Sequence, residues 1–455
     1  LRLASLLLTA AALAAAVTLA FSAALAQAPA QIALSAEVEP AQQPGTPWTT
    51  PAVLNPCPAG PAAQVLFPSD APSHATGPGA IVWSDSTHCP GGEGARIAML
   101  NPSDEPLAPS TPRTIGGRPI APQGALLDAG APHGQILIAG SAPGTPTQGL
   151  LIQGSADGPF TALTPTGGAA APMALATGYL GDVALAAPPA AGGSALSVHV
   201  ERFFAHDFVR NVVGHNPSSA TPVQALTLAM DFRSEVLAVW VQGRAVYAQV
   251  TPNRGAARAI RRVARVGRQV QIAAVISDDE RAILAWSEQH GQETRVWVDR
   301  STTGIRFGAP QLLERFRDPP GVPVPAASPS LVRLSTESVM LAWAGASAGR
   351  WVVHVAPVEL NGLGATSTIA APAGTDALLA HLAAGPLGDA LALWTEPLPT
   401  AAGPPDMARQ AIFAARGFNA YQAASRFGPP EQLAPPAPVS DPTAAFDPDS
   451  DRAVA

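Results

Sequence analysis

The chain contains no lysine, only two cysteines and only three tyrosines in 455 residues. Charged residues make up 13%, about half of the usual ~25% share. All fixed positive charge is therefore arginine, and the net charge is −7. That balance argues against a nucleic-acid partner, which requires a broad basic face. The sequence also lacks Gly-x-Ser-x-Gly, a phosphate-binding Gly-rich loop, a dinucleotide fingerprint and His-Glu-x-x-His. No catalytic, cofactor-binding or metal-ligating residue is assigned, and no cofactor is expected.

What is present is apolar and turn-rich. Hydrophobic residues are 47%, enough for a sizeable core, and 41 Gly with 49 Pro fit short strands separated by many turns. Leu3 to Ala26 is an Ala/Leu-rich stretch behind Arg2, and Ala24-Leu25-Ala26 fits a small-x-small cleavage pattern. Residues 1–26 thus read as a secretory signal peptide, or an uncleaved anchor, and predict a secreted or envelope-associated protein. No second apolar run of spanning length follows. In an exported chain Cys57 and Cys89 have one pairing available, and a disulfide there would contribute roughly 3–4 kcal/mol.

The strongest pattern is a tryptophan-tagged apolar strand. It occurs as Val236-Leu-Ala-Val-Trp240, Ala282-Ile-Leu-Ala-Trp286, Val339-Met-Leu-Ala-Trp343 and Ala390-Leu-Ala-Leu-Trp394, at spacings of 46, 57 and 51 residues. Ala80-Ile-Val-Trp83 keeps the tag, whereas Gln135–Ala139 and Asp182–Ala186 keep only the strand. A period near fifty marks a repeat architecture. Each unit reads as four strands. An apolar first strand ends at a polar turn, and the tagged second strand reads as buried on both faces. An alternating third strand follows (Val246–Val250, Val296–Asp299, Trp351–Val355, Ile412–Arg416), then a polar fourth after a Gly. Arg306–Leu313 and Arg426–Leu433 are related examples of the fourth, whose prolines suit an outer edge.

This unit resembles the repeats of secreted bacterial β-propellers, loosely the sialidase-like kind. The resemblance covers most of residues 63–455 and implies an all-β propeller of seven or eight four-stranded blades, with Trp83, Trp240, Trp286, Trp343 and Trp394 as its repeat-defining core. Residues 27–62 form an N-terminal segment. The chain ends about two residues before the next expected Trp. Either the last repeat stops short, or Gln31–Val38 and Pro47–Leu54 complete it as third and fourth strands of a closed ring.

No residue in this pattern announces chemistry. The nearest match to the sialidase-type Asp turn, Arg300–Phe307, keeps only Gly304 and an aromatic. Tyr247 reads as packing; Tyr179 and Tyr421 are the other two tyrosines. Glu288 and Glu396, each two residues past a Trp, read as solvated loop residues. Asp447, Asp449 and Asp451 read as a hairpin turn rather than a calcium loop, which would need a Gly and a distal Glu. His206, Asp207 and His215 lack a zinc spacing. Arg258, Arg261, Arg262, Arg265 and Arg268 read as a solvated edge. Two inserts, 199–220 and 397–409, read as loops. The expected function is a non-catalytic binding or scaffold module for a glycan, wall polymer or protein partner. Its rival is a glycan-active hydrolase or lyase acting in the central channel, or else a degenerate propeller that only spaces its neighbours.

Overall fold

The computed structural model describes the strands and many connecting turns between residues 64 and 455. Residues 1–63 and several loops lie outside the described residues. With them fall the signal stretch, the strands expected at 31–38 and 47–54, and Cys57 and Cys89. The chain divides into two units, Leu1–Thr50 and Pro51–Ala455, and every described residue belongs to the second.

All regular structure among the described residues is antiparallel strand, with no helix. Each sheet is a meander in which consecutive strands pair. The fourth sheet is Val223–Met230, Val236–Gln242, Ala245–Thr251 and Arg261–Arg265. The fifth is Arg268–Ile276, Ala282–His290, Glu293–Ser301 and Gln311–Arg317. The sixth is Ser330–Arg333, Val339–Ser347, Arg350–Glu359 and a split outer edge, Gly362–Leu363 and Ser367–Ile369. The seventh is Leu378–Ala384, Ala390–Leu398, Asp406–Gly417 and Glu431–Ala437. The second strands of the first three sheets are Gly79–Ser84, Gln135–Ala142 and Val183–Ala187. A two-stranded pair, Ala445–Phe446 with Ala453–Val454, follows the seventh sheet.

The apolar second strands explain how the sheets stack. Side chains alternate faces along a strand. In Val236–Gln242, Val236, Ala238 and Trp240 join one hydrophobic cluster with residues of the third sheet, and Leu237, Val239 and Val241 join another with the fifth. Val183–Ala187 divides in the same way, as does Gln135–Ala142. These central strands therefore supply two cores each, which is why their sequences are continuous rather than alternating. The first strands of successive sheets also touch one another. Face-to-face sheets joined along their first strands make a β-propeller arrangement.

The expected seven or eight equivalent blades give way to five of one design. In the third to seventh sheets the turn from first to second strand closes with the same hydrogen bond, from the N–H of one residue to the carbonyl four residues on. The pairs are Gly178–Asp182 (2.8 Å), Asp231–Glu235 (3.1 Å), Ser277–Arg281 (2.9 Å), Leu334–Ser338 (2.9 Å) and Gly385–Asp389 (2.7 Å). Strand pairing is local throughout, each sheet being built from neighbouring segments of the chain.

The fourth-sheet turn shows what the polar residues do. Asp231 is fully buried, and its Oδ1 accepts the N–H groups of Arg233 (2.9 Å) and Glu235 (2.7 Å), with Ser234 at φ +62°. Asp231→Ala should cost about 1–2 kcal/mol in urea unfolding, because two turn donors lose their acceptor. Asp231→Asn, which keeps an acceptor oxygen, should cost less than half of that.

Three strand assignments are corrected. The alternating third strands are buried on both faces in the fourth sheet, where even Gln249 is buried and donates to Arg258 O at 2.7 Å. Segment 199–220 contains an outer strand, Phe208–His215, rather than only a loop. Segment 397–409 is partly strand as well, since Pro397 pairs with Gln410 and Leu398 with Asp406.

Candidate functional site

The tagged tryptophans are all buried, at 0–3% exposure. In four sheets a ring stands directly opposite on the third strand. Trp240 stacks on Tyr247 (5.6 Å between centroids), Trp286 on Trp297 (6.2 Å) and Trp394 on Phe413 (6.0 Å), and Trp343 leans over His354 (5.2 Å). All four are register partners across the hairpin. Such pairs add about 0.5–1.5 kcal/mol beyond burial. In the first sheet Arg96 is the residue opposite Trp83.

A carboxylate lies beside each of three of these ring pairs. Glu396 is 1% exposed, and its Oε1 accepts the Trp394 indole N–H at 2.7 Å. Glu288 is 4% exposed; Oε1 accepts from Trp297 Nε1 at 2.9 Å and Oε2 from the Gly267 N–H at 2.5 Å. Both were expected in solvated loops. The second strands run on to His290 and Leu398, past the apolar run, and carry both glutamates inside. In the sixth sheet the position two past the Trp is Gly345, and Glu314 of the fifth sheet fills the vacancy. Its Oε2 accepts from Trp343 Nε1 at 2.7 Å and its Oε1 from the Ala346 N–H at 2.6 Å. A Cβ on Gly345 would lie 2.0 Å from Glu314 Oε2.

Glu314 also approaches His354, with Nε2 to Oε2 at 3.6 Å, while His354 Nδ1 shares a hydrogen bond with Thr368 Oγ1 at 3.3 Å. Both side chains keep a little solvent contact. Burial holds the His354 imidazole below the ordinary histidine value, and the Glu314 charge pulls it the other way. This pair lies between the fifth and sixth sheets.

Other acids are tied into turns and edges. Burial pushes the Asp299 carboxyl up, opposed by the Arg300 and Gly308 N–H groups and the Arg300 charge. Glu293 is held low, first by the hydrogen bond from Arg315. Arg300 of the degenerate Asp turn donates to Glu359 O at 2.7 Å, a structural contact.

Of the arginine run, Arg261, Arg262 and Arg265 are exposed on the outer strand of the fourth sheet and Arg268 opens the fifth, while Arg258 donates to Thr303 O at 3.3 Å. Tyr179, Tyr421, His206 and Asp207 lie outside the described residues, as do Asp447, Asp449 and Asp451. Those three aspartates fall between Phe446 and Ala453, which pair across a hairpin. No group of three or more metal-ligating side chains occurs among the described residues. Among the described residues no helix is long and apolar enough to cross a membrane.

Sequence reasoning missed the ring partners and Glu314. The signal for the former is present in three of those third strands, which contain one ring each, Tyr247, Trp297 or Phe413, whereas Arg350–Glu359 holds both Trp351 and His354. Nothing in the sequence signals that Gly345 is answered by a residue 31 positions earlier.

No protein-family model matches the chain, and no curated protein matches it. Several solved structures resemble its fold. An ulvan lyase is 11% identical, covering 82% of this chain and 90% of its own at a TM-score of 0.45. A Dyadobacter fermentans protein of unknown function is 12% identical, covering 65% and 93% at 0.40. The Aleuria aurantia lectin is 12% identical, covering 69% and 97% at 0.37. These likenesses concern the fold alone.

Proposed function

We propose that the protein is an exported, non-catalytic β-propeller that binds a glycan, wall polymer or protein partner. The observation that carries this reading is the use made of buried carboxylates. Glu288, Glu314 and Glu396 each accept an indole N–H beside a ring pair, and Glu288 and Glu314 also accept a backbone N–H. A general acid or base must reach the proton it moves in a bound substrate. Carboxylates engaged in this way hold strands and sheets together instead. Export rests on the Leu3–Ala26 stretch and its cleavage pattern.

The test is an array of glycans and wall fragments probed with the purified chain, read for both binding and turnover. Saturable binding to one class, with the ligand recovered intact, is the expected result. Release of reducing ends or of unsaturated products would overturn the non-catalytic reading.

A second reading, a glycan-active hydrolase or lyase, is favoured by one observation, the Glu314–His354 pair. Under that reading Glu314→Gln abolishes turnover while leaving binding in place.

A further inference from the structure

We infer that the outer edge of the fourth sheet is a binding site for acidic glycans, with Arg262 and Arg265 as its paired guanidinium groups. This rests on the binding-module reading above and names the ligand class.

The argument starts from register. Tyr247 pairs with Arg262, Val246 with Ala264 and Ala245 with Arg265, so Val263 is an extra, bulged residue on the outer strand. A residue shares the sheet face of its cross-strand partner. Ala245 and Tyr247 lie two apart and share a face, so Arg262 and Arg265 share it too. Without the bulge these residues, three apart, would point to opposite faces. The bulge also lets Val263 and Ala264 both pack on the cluster between the fourth and fifth sheets. Two arginines therefore leave the outer strand on one face from backbone positions about 7 Å apart, on the face that also carries the half-buried Tyr247.

Charge that merely guards a sheet edge is the plain alternative. The other sheets argue against it. The fifth and seventh carry the same bulge, at Leu313 and Leu433, opposite Trp297 and Phe413. The residue in the Arg262 position there is Leu312 or Gln432. Arg315, in the Arg265 position of the fifth sheet, is paired with Glu293 at 2.8 Å. At these matching positions the other edges thus carry an uncharged or an ion-paired side chain, while Arg262 and Arg265 form no ion pair among the described residues. Planar guanidinium forks match carboxylate and sulfate oxygens in bidentate geometry. So narrow a basic strip favours an acidic glycan over nucleic acid, which requires a broad basic face.

The test compares the full chain with Arg262→Ala/Arg265→Ala on immobilised polygalacturonate, a sulfated galactan, neutral galactan and single-stranded DNA. Unchanged thermal melting verifies that the double variant is folded. The expected result is saturable binding to the acidic polymers, weakened about tenfold or more by the double variant and by raising salt from about 0.05 to 0.3 M. Arg262→Lys/Arg265→Lys should recover only part of the affinity, because the charge returns without the fork. Equal binding by wild type and double variant overturns the site. So does DNA binding as tight as that of the glycans. Binding to neutral galactan alone, unaffected by the double variant, removes the arginine edge but leaves the binding-module reading standing. Failure on every glycan removes the arginine edge and the glycan form of that reading, leaving a protein partner.

Discussion

Glu314→Ala should destabilise the fold by about 2–3 kcal/mol, and Gly345→Glu should do so by a similar amount, yet the two together should recover to within about 1 kcal/mol of wild type. The first change leaves the Trp343 indole and the Ala346 N–H without their acceptor. The second drives a side chain into the space that the Glu314 carboxylate occupies. Combined, they move the carboxylate from the neighbouring sheet to the position two past the tryptophan. There it can accept the Trp343 indole N–H as Glu396 accepts that of Trp394. Urea unfolding of the four proteins measures the cycle. Additive losses in the double variant would mean that the carboxylate and the glycine are unrelated tenants of the interface.

Lowering the pH from 7.5 to 4.5 should cost wild type about 2 kcal/mol more stability than it costs His381→Gln. His381 lies on the first strand of the seventh sheet and hydrogen-bonds the backbone of Ala444, just before the final strand pair. Burial pushes its pKa down to about 4, and the Ala444 bond only partly offsets this. The sign follows from linkage. Above the unfolded value of about 6.5 the ring is neutral in both states, and its contribution is fully present. Between about 6.5 and 4 the unfolded chain takes up the proton and the folded chain does not, so stability falls as pH falls. A full shift of this size corresponds to about 3 kcal/mol, and the ring's remaining solvent contact reduces the expectation. Carboxylates titrate over the same range, so the difference between the two proteins is the readout. Parallel pH profiles would show that the ring is protonated in the folded state as easily as in the unfolded chain.

The sequence announced the parts of this fold that depend on short-range pattern. Val236–Trp240 and its three tagged counterparts are strands because an apolar run of that length, bounded by turn residues, has few other solutions. The weaker runs at 135–139 and 182–186 were legible for the same reason. What escaped was whatever depends on register between strands. Trp240 meets Tyr247 because the hairpin at Gly243, φ +62°, sets the pairing, and a hairpin one residue longer would put a different residue there. Glu288 and Glu396 were misplaced because charge suggests solvent, whereas an indole N–H and a backbone N–H make the interior acceptable to a carboxylate. The bulges at Val263, Leu313 and Leu433 leave no local mark, since each is defined by its partner strand. Blade count failed for a related reason: it was counted from second strands alone.

The division of central strands such as Val236–Gln242 between two hydrophobic clusters sets the grain size at which this protein can change. Deleting one residue from Val236–Gln242 would exchange the faces of the strand, sending Trp240 toward the fifth sheet and the slender odd-numbered side chains toward the third. Two cores would be lost by a single codon. Removing a whole repeat instead brings together two faces that are already complementary in kind. Length variation among relatives should therefore come in units of an entire repeat or be confined to the hairpin tips, with the second strands intolerant of any insertion or deletion.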